Sequence, residues 1–262
     1  KEFAPIVTEA SAGLGLLMSG THADLAAVPE KAGSVRPVGE ESLAYIQYSS
    51  GSTRFPTGVC VSHANLMANG RSMVRDGLQL RDGDRTVSWL PYFHDMGLVG
   101  FMLAPMLSQT SCDYLATEDF ARRPLTWLKI LSENGGTISY APSFGYELCG
   151  RRISSRNEGA RGLDLSRWRV AGIGGEMIKP QVMLQFAEVF KPYGFSDKAF
   201  CASYGLAECV LAASFAEVGK GMTVDRVSKD ILASEHRAEP IGEEAGENSR
   251  VFVACGKIVA EH

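Results

Sequence analysis

The stretch TVSWLPYFHDMGL, residues 86–98, contains the transition that decides the fold. Thr86–Leu90 is a short apolar run of strand character, and a helical pattern opens after His94. Similar apolar runs alternate with helical stretches along the chain, which predicts an α/β fold with mostly parallel sheets flanked by helices. In such a sheet His94 would lie at the carboxyl end of a strand, where open α/β sheets bind ligands. The other strand candidates are Leu43–Ser49, Val59–Ser62, Ser111–Leu115, Thr137–Ala141, Trp168–Ile173, Ala199–Ser203 and Val251–Ala254.

The sequence also predicts two helices and one segment that lies outside the core. Lys179–Phe190 carries apolar residues at helical spacing with Pro180 near its start, and Pro124–Ser132 shows a similar apolar side. The polar stretch Gly219–Ser249 has few aromatic residues, so we expect it to leave the core.

Composition excludes several classes of protein. The 262 residues are 45% hydrophobic and 21% charged, which is enough to bury a sizeable core. The formal net charge is -4 with both signs interspersed, so nucleic acid is a poor candidate partner. Apolar stretches such as Met96–Leu107 are interrupted and fall short of the ~20 residues that cross a bilayer, so we expect no membrane span.

The cysteines indicate a reducing compartment. Six cysteines are scattered without a CxxC pair, and no two histidines stand at zinc-binding spacing. We therefore expect reduced structural thiols in a cytoplasmic protein. Because the sequence starts without Met and stops just after an apparent strand, we also expect both ends to be cut.

The segment YSSGSTRFPTG, residues 48–58, joins two predicted strands with hydroxyl residues and glycines. Its backbone N–H groups and hydroxyls could hold a polyphosphate without adding charge, although a plain surface turn would have the same composition. It differs from the P-loop of NTPases, because Val59 and Cys60 stand where that motif needs Lys and Ser or Thr. The candidate phosphate ligands are Ser49, Ser50, Gly51, Ser52 and Thr53.

This loop resembles the phosphate-binding signature of the adenylate-forming superfamily, which includes acyl-CoA synthetases, luciferases and peptide-synthetase adenylation domains. The usual signature ends in Gly-x-Pro-Lys-Gly. Here Arg54 replaces its first Gly and Thr57 replaces its Lys. The change removes a cation aimed at the phosphates, and Arg54 could supply one from three positions earlier.

Three further motifs follow in the order of that superfamily: GIGGE at 172–176, ASYGLAE at 202–208 and, before both, APSF at 141–144. Taken alone, ASYGLAE could be a buried Tyr followed by a Glu in the first turn of a helix, where the helix dipole favours it. A lone histidine such as His94 is also more often structural than catalytic. The resemblance instead implies that Tyr204 stacks on adenine, that Glu208 binds Mg²⁺, and that His94 and Glu208 are the catalytic residues. It implies that Gly174, Gly175 and Glu176 lie against the adenine beside Ser203 and Gly205, and that APSF lines an acyl tunnel.

The HDMGL form of the motif at 94–98 is typical of the fatty acyl-AMP ligases and their near relatives. The stretch between Tyr204 and Cys255 is longer than in acyl-CoA synthetases, and TVDR at 223–226 and VACGK at 253–257 resemble ligase segments. The longer stretch could also be a tolerated surface loop, because lengthening a loop destabilises a fold only slightly. Residues 1–262 are thus expected to be part of the large amino-terminal domain, with an insertion at 216–250 and the carboxy-terminal lid domain outside it.

This resemblance implies a function. A fatty acid would be activated by ATP, with Mg²⁺, to an acyl-adenylate, and the acyl group would pass to the phosphopantetheine thiol of an acyl carrier protein. Two alternatives remain open. One is an acyl-CoA synthetase with coenzyme A as acceptor, and the other is a degenerate, non-catalytic acyl- or nucleotide-binding module.

Overall fold

The computed structural model describes residues 5, 9, 12, 22–29, 37–49, 57–155, 162–242, 246 and 248–260. The chain forms two compact units. In the first, Lys1–Val38, the described part contains helix α1, His22–Ala26. The second, Gly39–His262, contains every element discussed below.

A seven-stranded sheet forms the centre of the second unit. The described strands are β1 Leu43–Ser49, β2 Thr57–Ser62, β3 Arg85–Ser88, β4 Ser111–Tyr114, β5 Ile138–Ala141, β6 Val170–Ile173, β7 Phe200–Gly205, β8 Ala212–Phe215, β9 Val224–Ser228, β10 Ser249–Val253 and β11 Lys257–Ile258. The order across the sheet is β4-β3-β5-β6-β7-β8-β11, in which β4 to β7 pair in parallel and β8 and β11 pair antiparallel. The predicted α/β fold with a mostly parallel sheet is confirmed.

Helices connect these strands. They are α2 His63–Ser72, α3 Asp95–Leu98, α4 Ala104–Ser108, α5 Thr117–Arg122, α6 Leu125–Glu133, α7 Ser143–Ser155, α8 Pro180–Phe190 and α9 Lys229–Glu235. A π-helical turn, Met73–Gly77, continues α2, and a second, Val99–Leu103, joins α3 to α4. The two predicted helices are α6 and α8, each beginning one residue later than expected because Pro124 and Lys179 are their N-caps.

An aromatic core covers one face of the sheet. Trp127 of α6 lies 5.4 Å from Tyr146 of α7, and Tyr146 lies 5.0 Å from Phe186 of α8. The polar edges of these rings are satisfied by the sheet, since the Trp127 indole donates to Ser139 Oγ and the Tyr146 hydroxyl donates to the Gly172 carbonyl. Close-packed rings of this size contribute most of the apolar burial. The core therefore holds in place the strands that carry the predicted motifs at their carboxyl ends.

Three strands are not anticipated by the apolar pattern. These are β8, β9 and β11, which are short and defined by backbone pairing with a neighbour. The stretch Gly219–Ser249 does leave the central sheet, as expected. Its described part contains regular structure, because β9 pairs antiparallel with β10 and α9 follows β9.

Two sequence predictions concern the chain as a whole. All six cysteines lie in the described ranges and are free. In the same ranges no helix is both long and apolar enough to cross a bilayer.

Candidate active site

The carboxyl ends of the parallel strands open onto one cavity of about 910 Å³. The chain runs from β3 to β4 on one side and returns to β5 on the other side of β3, which makes the switch point at which open α/β sheets bind ligands. Seven of the predicted site residues line this cavity: His94, Gly174, Gly175, Ser203, Tyr204, Gly205 and Glu208. Residues far apart in sequence are thus brought together by the sheet.

The remaining predicted residues lie elsewhere. Glu176 is exposed and is not part of the cavity lining, and Ser49 ends β1. Ser50, Gly51, Ser52, Thr53 and Arg54 lie outside the described residues. Tyr48 and Thr57, on either side of that loop, both line the cavity, so the two ends of the loop reach it.

Glu208 is presented on a tight turn at the end of β7. The alternative interpretation of this motif put Glu208 in the first turn of an α-helix, but Ala207–Cys209 is a three-residue 3-10 turn. It ends at Val210, whose φ of 68° and ψ of −57° form a γ-turn closed by a 2.8 Å hydrogen bond from the Leu211 N–H to the Cys209 carbonyl. A positive φ is strained for a β-branched residue, and such strain is characteristic of functional sites.

Two glycines are required by the backbone at the cavity rim. Gly175, after β6, has a φ of +80°, which other residues rarely adopt. At Gly205 a Cβ atom would lie 1.9 Å from the Leu211 carbonyl oxygen, so the returning chain leaves no room for a side chain. The glycines of both motifs therefore allow the close turns that bring Tyr204 and Glu208 to the cavity.

His94 caps helix α3 and is coupled to its neighbour Asp95. The His94 Nδ1 lies 2.8 Å from Asp95 Oδ1, and the Met96 N–H lies 2.7 Å from the same carboxylate but 3.2 Å from Nδ1. The shorter distance assigns the Met96 N–H to Asp95 and leaves Nδ1 as a donor to the carboxylate. This hydrogen bond raises the pKa of His94 above its ordinary 6.5, and burial only partly opposes it.

Two polar residues of β1 were missed by the sequence analysis. Tyr45 and Gln47 lie on the same side of the strand, and the Tyr45 hydroxyl and Gln47 Oε1 are buried with no hydrogen-bond partner among the described residues. Gln47 lines the cavity. Burial and the Asp95 carboxylate raise the pKa of Tyr45 to about 12, so its phenol stays neutral. Strand alternation alone could have placed the two residues on one face.

The cavity also has an apolar branch along the sheet face opposite the aromatic core. Its lining includes Met73, Leu78, Phe101, Ile138, Tyr140 and Phe215. The APSF segment, predicted to line an acyl tunnel, is not part of this lining: Ser143 Oγ accepts from the Lys179 N–H, and Phe144 packs edge-on against Trp89. Ile138 and Tyr140 of the preceding strand β5 line the branch instead.

The donor set suits magnesium bound together with a substrate. In the described part of the chain, no three His, Cys, Asp or Glu side chains come together as a complete metal site. Mg²⁺ usually takes only one or two carboxylates and completes its shell with phosphate oxygens and water. A single exposed carboxylate, Glu208, at the rim of the cavity fits that mode of binding.

Comparison with known proteins defines the class of this fold and site. Residues 7–246 match the model of the AMP-binding enzyme family, and the chain belongs to that family. It is 47% identical over 262 residues to a Caulobacter vibrioides protein named "Putative acyl-CoA synthetase", covering 98% of this chain and 44% of that protein. It is 36% identical over 218 residues to the medium-chain-fatty-acid–[acyl-carrier-protein] ligase TtuA of Teredinibacter turnerae, covering 82% of this chain and 33% of that protein.

Solved structures support the same family assignment. A fatty acyl-adenylate ligase structure from work on the E. coli and L. pneumophila enzymes superposes with a TM-score of 0.90 at 48% identity, covering 99% of this chain and 46% of that one. The L. pneumophila ligase in complex with acyl adenylate and pyrophosphate superposes with a TM-score of 0.80 at 34% identity, covering 86% and 39%. The chain spans less than half the length of these relatives.

Proposed function

We propose that the enzyme that carries this chain activates a fatty acid with ATP and passes the acyl group to the phosphopantetheine thiol of an acyl carrier protein. The observation that carries the proposal is a single cavity with a polar rim at the strand ends and an apolar branch along the sheet. Such a cavity suits a molecule with a nucleotide at one end and an alkyl chain at the other. An acyl-adenylate has this form.

In the first step a carboxylate oxygen attacks the α-phosphorus of ATP, and the bond to the β-phosphate oxygen breaks to release pyrophosphate. In the second step the acceptor sulfur attacks the acyl carbonyl, AMP leaves, and the thiol proton is lost. Neither step needs a nucleophilic side chain. Catalysis then depends on alignment of two anions and on neutralisation of their charge.

The residues of the rim would share this work. The exposed ring of Tyr204 would stack on adenine, and Gly174, Gly175, Ser203 and Gly205 would allow the base to approach the backbone. Ser49, Ser50, Gly51, Ser52 and Thr53 would donate to the phosphates, and Glu176 would lie beside the adenine segment. His94, whose raised pKa favours the cation, would offset the charge of the carboxylate and phosphates.

Glu208 would hold Mg²⁺ against the phosphate oxygens. When bound, the ion would neutralise negative charge on the phosphate oxygens during the transfer of the adenylyl group. We further propose that residues 1–262 are part of the large amino-terminal domain and that residues 216–250 are an insertion. The six free thiols support a cytoplasmic location.

The relatives favour two acceptors. TtuA is a ligase of a carrier protein, whereas the Caulobacter relative is named as an acyl-CoA synthetase. The HDMGL motif and the excursion around β9 and β10 support the carrier protein. A non-catalytic binding module is the third possibility, because Arg54 and Thr57 replace residues of the phosphate signature.

One experiment separates these candidates. The enzyme is given a fatty acid, ATP and Mg²⁺, and pyrophosphate exchange is measured before coenzyme A or a holo carrier protein is added. We expect exchange, loss of at least about a hundredfold in Glu208→Gln, and thioester on the carrier protein alone. Thioester on coenzyme A would reverse the choice of acceptor. Tight binding of an acyl-sulfamoyl-adenosine without exchange would indicate the non-catalytic module.

A further inference from the structure

The wall of the apolar branch contains a contact between a glycine and an aromatic ring. Gly77 is the last residue of the π-helical turn that continues α2. A Cβ atom at this position would lie 2.6 Å from Cδ2 and Cε2 of Phe215 and 2.9 Å from its Cγ. These distances are too short for real carbon contacts, so the ring lies where a side chain of residue 77 would otherwise be.

Gly77 is not needed for its backbone. Its φ lies outside the left-handed region, so alanine could adopt the same conformation. What the missing side chain provides is space for Phe215. Phe215 is 9% exposed and lines the branch, whereas Gly77 lies behind it.

The backbone of Phe215 is fixed on two sides. Phe215 ends β8 and pairs with Ser203 of β7 and with Lys257 of β11. The next residue, Ala216, donates its N–H to the Ala202 carbonyl at 2.7 Å. A larger residue at position 77 would therefore displace the ring and not the strand.

Tyr140 blocks the Phe215 ring on one side, and the cavity is open to it on another. Tyr140 stands edge-on to Phe215, with the ring centroids 6.5 Å apart, and Phe101 stands 6.2 Å from Tyr140. Tyr140 cannot retreat, because its ring already lies against the backbone of Gly172, where a Cβ atom would be 2.1 Å from it. The open space beside Phe215 is the apolar branch.

We infer that Gly77, by leaving room for Phe215, sets the length of acyl chain that the apolar branch accepts. The inference rests on the proposed function, because it gives the branch to the alkyl part of the substrate. Gly77 acts through Phe215 and is a positioning residue. Alanine at 77 would push the ring into space that the far end of a long chain needs.

The test is a chain-length profile. Saturated fatty acids of increasing length are compared in pyrophosphate exchange, with wild type, Gly77→Ala and Phe215→Leu. The ratio of kcat/KM for the longest accepted chain to that for a chain four carbons shorter should fall about tenfold in Gly77→Ala, since one methylene in such a pocket changes discrimination by 10-fold or more. In Phe215→Leu the ratio should rise. The double variant should regain the wild-type ratio, because the added methyl then meets no ring.

Gly70→Ala is the matched control. Gly70 lies in α2, and its Cβ would meet Leu107 Cδ1 at 2.7 Å, but Leu107 is 39% exposed and neither residue lines the cavity. The control should keep the wild-type profile. An unchanged profile in Gly77→Ala, or an equal loss at every chain length, would overturn the inference.

Two further measurements keep the inference separate from the proposed function. If Gly77→Ala does not fold, Phe215→Leu decides, and an unchanged profile there contradicts the inference. If wild type shows no exchange with any fatty acid, the proposed function fails as chemistry. Calorimetric affinities for acyl-sulfamoyl-adenosines of the same chain lengths then give the chain-length profile without catalysis. If wild type and all variants show the same dependence of affinity on chain length, the role of Gly77 is refuted.

Discussion

At the scale of single residues, His94 owes its raised pKa to its neighbour Asp95. Its hydrogen bond to Asp95 raises its pKa, so the protonated form persists above the ordinary 6.5. A group with a raised pKa is charged below that pKa and loses its charge as the pH rises through it. If the cation assists two anions to meet, kcat/KM should fall on the alkaline side of this raised pKa.

Separate substitutions of Asp95 and His94 distinguish the effect of the positive charge of His94 from the effect of its side-chain shape. In Asp95→Asn the pKa of His94 should return toward its ordinary value, so the decline in kcat/KM should move to lower pH. In His94→Gln this limb should disappear and the rate should stay low throughout. The pH profile of pyrophosphate exchange measures both, and an Asp95→Asn profile that coincides with wild type would remove His94⁺ from the proposal.

At the scale of elements, one ion pair joins the residues that immediately precede β3, β5 and β6, at the amino-terminal ends of these strands. The Arg169 Nε donates to Asp84 Oδ1 at 2.9 Å, and its other nitrogens reach the Leu78 and Gln79 carbonyls. Asp84 also accepts from the Thr137 hydroxyl and the Arg81 N–H. The Asp84 side chain is 4% exposed, so loss of its charge leaves a largely buried guanidinium unpaired.

Asp84→Asn should therefore lower the free energy of unfolding by roughly 3 kcal/mol, which is the usual cost of breaking a buried pair. Burial alone would raise the pKa of Asp84, but the hydrogen bonds from Arg169, Thr137 and the Arg81 N–H together hold it below its usual value. A depressed pKa gives stability above the unfolded value of about 3.9 and loses it as the pH falls through the folded value. Urea unfolding at pH 7 and at decreasing pH should show the gap between variant and wild type closing in acid. A constant gap would contradict the ionic origin.

The same scale shows what sequence could and could not predict. Strands such as β3 and β5 were predictable because apolar runs between turn residues have few alternatives, and the motifs could be placed because the carboxyl ends of parallel strands share one edge. The γ-turn at Val210 was not predictable from the sequence, since no local preference favours a positive φ in valine. Phe215 was also missed as a cavity residue, because its role depends on the Gly77 backbone behind it and not on its own neighbours in sequence.

At the scale of the whole molecule, the cavity is lined by residues of β1, β2, β3, β5, β7 and β8 and by the two glycines that follow β6, so one ligand would contact most strands of the central sheet. A ligand that binds only the folded state stabilises it by RT ln(1 + [L]/Kd), which is about 2.7 kcal/mol at a hundredfold excess over Kd. For a domain of this size that corresponds to a rise in Tm of roughly 5 to 10 °C.

We therefore expect an acyl-sulfamoyl-adenosine to raise the Tm of the enzyme by this amount, and a fatty acid alone to raise it less, because only the former fills both the rim and the apolar branch. Tyr204→Ala should weaken the response, since its 57% exposed ring would lose a stacking contact worth about 1 to 3 kcal/mol. Tyr204→Phe keeps the ring and is the matched control. Thermal scans with each ligand measure the shifts. Equal shifts for Tyr204→Ala and wild type would mean that the adenine binds elsewhere, whereas equal shifts for fatty acid and adenylate analogue would mean that the rim contributes nothing.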